Sequence, residues 1–227
     1  MALKLARVVP FGRSLDEYRQ MFALTEADLS NKKILGVGDG SASFNVEGTA
    51  KGADITSIDP LYQFNGTEIK QQFDAVVDNI IDQVIATPDD WVWSYHQSPQ
   101  ALKASRINTL KTFLSDYQRG KQQNRYLSQE LPVLDFSDAQ FDLALCSHFL
   151  FLYSNFCDRD FHLKSIAEML RVSNEVRIFP LLTLMSETSP YLDDVITHFQ
   201  NLGYSVTMTQ VSYELQKGGN QMLAISK

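Results

Sequence analysis

Short apolar runs alternate along the chain with longer segments in which apolar residues recur every three or four positions. The runs at residues 33–37, 53–59, 125–128, 141–147 and 175–179 have the length and composition of buried strands. Between the first two runs, residues 42–51 have the pattern of a short helix that Gly52 ends. Strands that alternate with helices are typical of an α/β sheet with crossover helices.

The end of the chain departs from this alternation. A predicted helix that begins at Ser189 ends at Gly203, and strands are predicted at residues 204–211 and 220–226. Strands joined by so short a link must be antiparallel, and the penultimate strand then runs parallel to the rest of the sheet. We therefore predict an α/β fold with a doubly wound, mostly parallel seven-stranded sheet that ends in an antiparallel hairpin.

Residues 67–123 separate the second and third strands by far more than the roughly one dozen residues that a crossover needs. Apolar residues keep helical spacing from Ile69 to Ile85, and a second helical stripe begins at Pro99 and ends before Gly120. We interpret this segment as a helical cap inserted between the two strands. The alternative is a long crossover that simply packs on the sheet.

Residues 1–30 are predicted to form an N-terminal helical arm. Ser14 with Glu17 three positions later is a capping-box pattern, which marks the start of a helix. The arm either braces the sheet or folds over its ligand-binding edge. Because no linker-like segment divides the chain, we expect residues 1–227 to form a single domain.

Composition and charge narrow the possible functions. The 227 residues are 44% hydrophobic and 21% charged, which excludes disordered and collagen-like chains. The net charge of −7 argues against a protein that binds nucleic acid broadly. The longest apolar run, residues 149–153, is too short to span a membrane, and residues 1–10 lack the apolar stretch of an export signal. With two cysteines, Cys146 and Cys157, we expect a cytoplasmic protein without a membrane partner.

Candidate chemistry is concentrated where the first strand ends. Gly36, Gly38 and Gly40 lie between a strand and a helix, where glycine lets the backbone turn tightly and lets a ligand approach main-chain atoms. Asp59, 21 residues after Gly38, ends the second strand, and a carboxylate there can accept hydrogen bonds from both ribose hydroxyls of an adenosine. The pattern predicts an adenosine-containing ligand; the alternative is a tight turn beside a surface carboxylate.

A nicotinamide dinucleotide is the rival ligand. Its fingerprint requires glycine at the first, third and sixth positions. Counted from Gly36 the sixth position is Ser41, and counted from Gly38 it is Ser43, so the third glycine is missing in both cases. The antiparallel hairpin also departs from the parallel dinucleotide-binding sheet, and a nicotinamide-dependent oxidoreductase is therefore disfavoured.

Residues 29–226 resemble the class I, Rossmann-like S-adenosylmethionine-dependent methyltransferases. Four segments are similar. They are the first glycine motif (residues 34–40), the run that flanks the adenine (130–142), the fourth strand (143–148) and the helix before the fifth strand (168–172). Within that family, residues 147–153, 175–180 and 216–220 resemble an uncharacterised group of short bacterial members.

The resemblance implies S-adenosyl-L-methionine as the cofactor. The cofactor-binding residues that it implies are Gly36, Gly38, Asp39, Gly40, Asp59, Pro60, Leu61, Glu130, Leu131, Ser147 and His148. In the family, the residue at Asp59 binds ribose, those at Glu130 and Leu131 flank the adenine, and the end of the fourth strand faces the sulfonium. The first motif departs from the family at Gly36, where an acid is usual. Asp39 or a residue of the arm is the expected substitute.

Methyl transfer from a sulfonium is a direct displacement that depends on alignment and on exclusion of water, with a base only where the acceptor must lose a proton. His148 ends the fourth strand and is the candidate base; alternatively, it only packs beside the cofactor. Tyr153 is a candidate hydroxyl group, with core packing as the alternative. Cys146 is interpreted as a buried strand residue, and the four histidines lack the spacing of a metal site.

Two segments supply candidate acceptor-binding residues. In the cap, Trp93, Tyr95 and His96 lie close together in the sequence, which suits a small-molecule pocket or the core of the cap itself. Lys217 and Asn220 flank two glycines in the C-terminal link, which is expected at the same sheet edge as the glycine turn. A plain hairpin turn is the alternative there.

The sequence thus predicts an S-adenosylmethionine-dependent methyltransferase that acts on a small-molecule acceptor. A methyltransferase-like protein that has lost catalysis and binds a nucleoside or a partner is the alternative. Gly36, in place of the motif acid, is the observation that favours this alternative.

Overall fold

A single seven-stranded sheet organises the computed structural model, which describes Leu5 and residues 8–227. The strands are β1 (Lys33–Val37), β2 (Asp54–Ile58), β3 (Tyr126–Leu127), β4 (Phe141–Ser147), β5 (Ser173–Phe179), β6 (Ser205–Gln210) and β7 (Gln221–Ser226). Their order across the sheet is β3-β2-β1-β4-β5-β7-β6. β7 runs antiparallel to β5 and to β6, and the other neighbours are parallel. The predicted fold class is confirmed, and β6 runs parallel to β5 as expected.

Two elements differ from their predicted bounds in ways that matter for the site. β3 pairs with β2 through Tyr126 and Leu127 alone, and the chain then turns, since the Gln129 N–H donates to the Leu127 carbonyl. The link between β6 and β7 is longer than a tight hairpin turn. It is a loop that carries Tyr213 and Leu215 into the core.

Helices cover both faces of the sheet. They are α1 (Leu15–Met21), α2 (Glu26–Asn31), α3 (Phe44–Ala50), α4 (Gly66–Ala86), α5 (Pro99–Gln122), α6 (Arg159–Val172) and α7 (Leu192–Asn201). Alternation along β4 produces two core clusters. Leu143 and Leu145 pack in the cluster with α1 and α3, whereas Ala144 and Cys146 pack in the cluster with α6 and α7. The central strands read as continuous apolar runs because both of their faces are buried.

The arm packs directly on the glycine turn. The predicted capping box between Ser14 and Glu17 is present and begins α1. Ahead of this helix, the Ser41 hydroxyl donates to the Pro10 carbonyl at 2.9 Å. The segment before α1 therefore crosses the turn that follows β1. Residues 1–4, 6 and 7 of the predicted arm lie outside the described residues.

The segment between β2 and β3 folds into α4 and α5, which pack against each other. An aromatic cluster that includes Phe73, Phe113 and Tyr117 lies between these helices and β3. Val84 of α4 and Leu102 of α5 also reach the main cluster on the α1 side of the sheet. The insertion thus has a core of its own and is continuous with the main core. Among the described residues, no helix combines the length and apolar character that crossing a bilayer requires.

Candidate functional site

The carboxyl ends of β1, β2 and β4 meet at one edge of the sheet, where the glycine turn lies. Gly38 and Gly40 have positive φ angles of 68° and 53°, a left-handed conformation that favours glycine. A Cβ atom on Gly38 would approach Phe149 to 3.1 Å, so close packing also disfavours a side chain there. The Gly38 N–H donates to the Ile58 carbonyl at 3.0 Å, which ties the turn to β2.

Asp59 follows β2 and holds the same turn through its side chain. Its Oδ2 accepts from the Gly40 N–H at 2.9 Å, and its Oδ1 accepts from the Leu61 N–H at 2.7 Å. Burial raises the pKa of this partly buried carboxyl to about 6, against the effect of both hydrogen bonds. Each carboxylate oxygen keeps a second lone pair, so the group can still accept hydrogen bonds from a ligand.

A cavity of about 490 Å³ opens beside the turn. Seven of the residues predicted to bind the cofactor line it: Gly38, Gly40, Asp59, Pro60, Leu61, Glu130 and Leu131. Its other walls are mainly apolar and include Val9 and Pro10 of the arm together with Phe149 and Phe161. A cavity of this size with apolar walls and few polar groups is typical of sites for small organic ligands.

The glycine at position 36 has a structural explanation. A Cβ atom built on Gly36 would overlap the carboxylate of Asp39, which folds back into that space. The Tyr18 hydroxyl donates to Asp39 Oδ1 at 2.6 Å, and the Ser57 hydroxyl donates to Oδ2 at 2.5 Å. Burial raises the pKa of Asp39 to about 7 against these hydrogen bonds, and the Asp59 charge adds to the rise. The Asp39 carboxylate thus occupies the space that a side chain at position 36 would fill. That Asp39 binds the cofactor in place of the usual acid stays a prediction.

A second cavity of about 70 Å³ adjoins the turn, and its lining includes Asp39, Ser147, His148 and Tyr153. His148 has a φ of 51°, a left-handed conformation that is uncommon for residues other than glycine and recurs at functional sites. Its Nδ1 lies 3.1 Å from the Ser147 Oγ. Burial, followed by the charges of Arg13 and Arg106, holds the pKa of His148 well below its ordinary value. The imidazole is therefore neutral at pH 7.

A third cavity of about 50 Å³ continues from His148. It shares six lining residues with the second cavity: Phe11, Arg13, Ile80, His148, Leu152 and Leu184. The insertion contributes Trp91 and Leu102 to its remaining walls, and the loop after β6 contributes Tyr213 and Leu215. The second and third cavities thus form one region around Arg13 and His148.

The acceptor-binding residues predicted in the insertion lie elsewhere. Trp93, Tyr95 and His96 are outside the linings of these three cavities. Trp93 packs against the core cluster of α1, and the Tyr95 hydroxyl donates to Asp16 at 2.7 Å. Trp91 is the residue of this segment that reaches the third cavity.

Lys217 and Asn220 are also outside these linings, although their loop reaches the expected edge of the sheet. The Asn220 side-chain amide donates to Glu214 at 3.1 Å and closes the loop on itself. Gln216 and Gly219 of the same loop line the third cavity instead.

His96 belongs to a buried ion-pair network. Arg106 donates to both carboxylate oxygens of Glu17, at 2.7 Å each. The Tyr213 hydroxyl donates to Glu17 at 2.9 Å, and His96 Nε2 lies 3.3 Å from the same carboxylate. Burial opposes ionisation of Glu17, but the Arg106 charge holds its pKa well below the ordinary value. The network joins the arm, the insertion and the C-terminal loop.

The sequence left open whether the arm folds over the ligand-binding edge, and it did not indicate which residues of the arm line the site. Phe11, Arg13 and Tyr18 line the second cavity beside His148. The capping box locates α1, but no periodic pattern shows that residues 8–13 cross the glycine turn. Arg13 is the one charged residue in the segment 8–14, and that isolated charge was the signal available.

Comparisons with known proteins agree with the observed fold. No family model matches the chain. The uncharacterized protein MJ0045 of Methanocaldococcus jannaschii is 36% identical over 226 residues, which cover 99% of each chain. The methyltransferase domain of bacterial CtHen1 matches with a TM-score of 0.51 at 12% identity, over 94% of this chain and 100% of that chain. Magnesium protoporphyrin IX methyltransferase (ChlM) of Synechocystis PCC 6803 with bound SAH matches with a TM-score of 0.50 at 11% identity, over 94% of this chain and 81% of that one.

The two kinds of match carry different weight. Structures at 11% and 12% identity establish the fold. The 36% identical relative spans both chains almost completely, and it is archaeal, whereas the sequence resemblance pointed to bacterial members. The chain therefore belongs to one family with the uncharacterized protein MJ0045, and it has the fold of the S-adenosylmethionine-dependent methyltransferases.

Proposed function

We propose that this protein is a methyltransferase that uses S-adenosyl-L-methionine and acts on a small-molecule acceptor. The observation that carries the proposal is the cavity of about 490 Å³ at the carboxyl edge of the sheet. It gathers residues from the glycine turn, the end of β2 and the segment after β3, which are the segments that the motif pattern assigned to the cofactor. The ChlM structure that shares this fold contains bound SAH, which supports the assignment.

The residues around this cavity fit an adenosine. Asp59 has free lone pairs for the two ribose hydroxyls, although it already accepts two backbone hydrogen bonds. Leu131 and Phe149 are apolar walls for the adenine, and Glu130 is a polar group among them. The left-handed turn at Gly38 and Gly40 leaves main-chain atoms open to close approach.

The second and third cavities are the acceptor side of the proposed site. When bound, S-adenosyl-L-methionine supplies a methyl group on a sulfonium sulfur, and displacement forms the acceptor–carbon bond while the carbon–sulfur bond breaks with its electrons left on sulfur. Neutral His148 takes the proton of the acceptor at Nε2, because its Nδ1 lies at Ser147. Burial raises the pKa of Tyr153 to about 12, so its hydroxyl stays protonated and forms part of the wall. Phe11 of the arm covers this region and excludes water.

Charge and enclosure support a small molecule as the acceptor. The net charge of −7 disfavours a nucleic-acid substrate, and cavities of about 70 and 50 Å³ have no room for a macromolecular segment. Cys146 and Cys157 are both free thiols, which supports a reducing compartment, and we place the protein in the cytoplasm.

Ligand binding without catalysis is the second candidate function. The small volume around His148 favours it, because cavities of about 70 and 50 Å³ leave little room for an acceptor. Both candidate functions predict binding of S-adenosylhomocysteine. A protein without catalysis, however, would transfer no methyl group from labelled S-adenosyl-L-methionine to any acceptor.

A thermal melt with S-adenosylhomocysteine, and with NADH as the control, tests the proposed function. A ligand at 100 times its dissociation constant adds about 2.7 kcal/mol to the free energy of unfolding, which raises the melting temperature of a chain of this length by about 5 to 10 °C. We expect this rise with S-adenosylhomocysteine and none with NADH. An unchanged melting temperature at millimolar S-adenosylhomocysteine would contradict the proposal.

A further inference from the structure

An arginine side chain with an unpaired hydrogen-bond donor lies in the acceptor region. Arg13 Nη1 donates to the Phe11 carbonyl, and the buried Nε has no hydrogen-bond partner. Within the described part of the chain, no carboxylate lies at ion-pair distance from this guanidinium. Leaving such a donor unpaired costs free energy, which a bound acceptor atom would recover.

The carboxylate whose charge acts on Arg13 is already neutralised. Glu17 raises the pKa of Arg13, but both of its oxygens are held by Arg106 and one also accepts from Tyr213. The Glu17–Arg106 pair carries no net charge. Asp39 and Asp59 also line the second cavity, but their carboxyl oxygens accept hydrogen bonds from Tyr18, Ser57 and the backbone rather than from Arg13. Burial and the Arg106 charge lower the pKa of Arg13 to about 10, and it remains protonated at pH 7.

The backbone and the aromatic ring of the arm hold Arg13 in place. The Ser43 N–H donates to the Arg13 carbonyl at 3.0 Å, at the start of α3. The Arg13 Cζ lies 5.6 Å from the centre of the Phe11 ring, and Arg106 lies 5.3 Å from the same ring. Arg13 lines both small cavities together with His148. A guanidinium fixed in this way is a preorganised anion site.

The surroundings of Arg13 restrict the ligand. The walls that the two cavities share are apolar at Phe11, Ile80, Leu152 and Leu184. A ligand that fits has an apolar body and one anionic group. The planar guanidinium matches a carboxylate through two parallel hydrogen bonds, and the small volume favours the flat carboxylate over a tetrahedral phosphate.

We propose that Arg13 binds a carboxylate of the methyl acceptor, which is therefore a small carboxylic acid with an apolar body and a reacting O–H or N–H group beside His148. This inference rests on the proposed function. It also connects binding to catalysis. Burial is the main cause of the low pKa of His148 and the Arg13 charge is the next, so a carboxylate on Arg13 offsets the second cause and makes this base stronger when the acceptor is present.

Thermal melts of the S-adenosylhomocysteine complex test this assignment. The probes are 3-hydroxybutanoate and 4-hydroxybenzoate, with 3-hydroxybutanamide and 4-hydroxybenzamide as uncharged counterparts. At about ten times a millimolar dissociation constant, at least one carboxylate is expected to raise the melting temperature by about 3 to 5 °C. Neither amide should do so. Arg13→Gln should remove the rise, Arg13→Lys should keep part of it, and Arg159→Gln on the surface of α6 should keep all of it.

Binding of the cofactor product alone separates the possible failures. If S-adenosylhomocysteine does not stabilise the wild type, the proposed function fails. If it does, but the amides match the carboxylates, no probe binds, or Arg13→Gln keeps the rise, then the carboxylate assignment is overturned and the proposed function stands. The assignment is also overturned if Arg13→Gln weakens binding of S-adenosylhomocysteine but not of 5′-methylthioadenosine, because Arg13 would then hold the amino-acid part of the cofactor.

Discussion

Gly36 and Asp39 act as a pair at the scale of single residues. The backbone of Gly36 does not require glycine, because its φ lies outside the left-handed region; the carboxylate of Asp39 requires the space. Tyr18 and Ser57 fix that carboxylate by hydrogen bonds. Adding an acid at position 36 while Asp39 is present would therefore place two carboxylates in one space.

We expect Gly36→Asp alone to destabilise the protein by about 2 kcal/mol or more, because it overpacks a buried site and adds a like charge. The double variant Gly36→Asp with Asp39→Gly moves the acid back to position 36 and should recover most of this loss. Denaturant unfolding measures the stability, and the S-adenosylhomocysteine melt measures the site. A single variant as stable as the wild type would show that Asp39 leaves the space readily.

At the scale of elements, the Glu17–Arg106 pair joins parts of the chain that are distant in sequence. Glu17 lies on α1, Arg106 lies on α5, and Tyr213 of the loop after β6 donates to the same carboxylate. Both charged side chains are fully buried, at 0% exposure. Burying such a pair costs desolvation free energy. If one of the two charged side chains is removed, the other is left as an uncompensated buried charge.

Arg106→Met is therefore expected to lower the free energy of unfolding by about 3 to 5 kcal/mol, because it leaves Glu17 buried without its partner. The double variant with Glu17→Leu should be less destabilised than Arg106→Met alone. Arg119→Met is the matched control on the same helix. Its side chain is 71% exposed, and its buried partner Asp116 keeps an ion pair with Arg125 at 2.6 Å, so the loss should be about 1 kcal/mol or less. Equal losses for the two single variants, measured by urea unfolding, would contradict the role of the buried pair.

At the scale of the whole molecule, the features that the sequence predicts are those that depend on local patterns, such as strands and short motifs. The bounds of β1 and β4 match the apolar runs at 33–37 and 141–147, because both faces of these strands are buried. The glycine turn and Asp59 were found because short motifs carry them. His148 and Tyr153, which line the second cavity, were predicted as candidate site residues. The contributions of Arg13 and Tyr213 to the two small cavities were not predicted, since they depend on long-range packing of the arm, the insertion and the C-terminal loop. No sequence pattern indicates the contacts of Tyr213, and the one signal for Arg13 is its isolated charge in the segment 8–14.

The stability of the whole molecule is expected to depend on pH through Asp39. Its pKa in the folded protein is about 7, raised by burial from an ordinary value of 3.8, so between these values the folded protein holds the proton more tightly than the unfolded chain does. The stability that Asp39 contributes is thus fully present below about pH 4 and is lost as the pH rises through 7. His96 and His148, whose pKa values burial lowers, act in the opposite direction in acid. A comparison of variants is therefore needed to isolate Asp39.

Asp39→Asn removes the titrating group, and its amide oxygen accepts from one of the Tyr18 and Ser57 hydroxyls while its N–H donates to the other. Between pH 5 and pH 8, the wild type should lose about 2 to 3 kcal/mol of unfolding free energy relative to this variant, as the folded protein is forced to ionise a buried carboxyl. Urea unfolding at several pH values measures the difference, and Asp160→Asn, on the exposed side of α6, controls for the loss of one charge. Parallel curves for the wild type and Asp39→Asn would mean that Asp39 is ionised across this range, and the carboxylate at the glycine turn would then be charged before any ligand arrives.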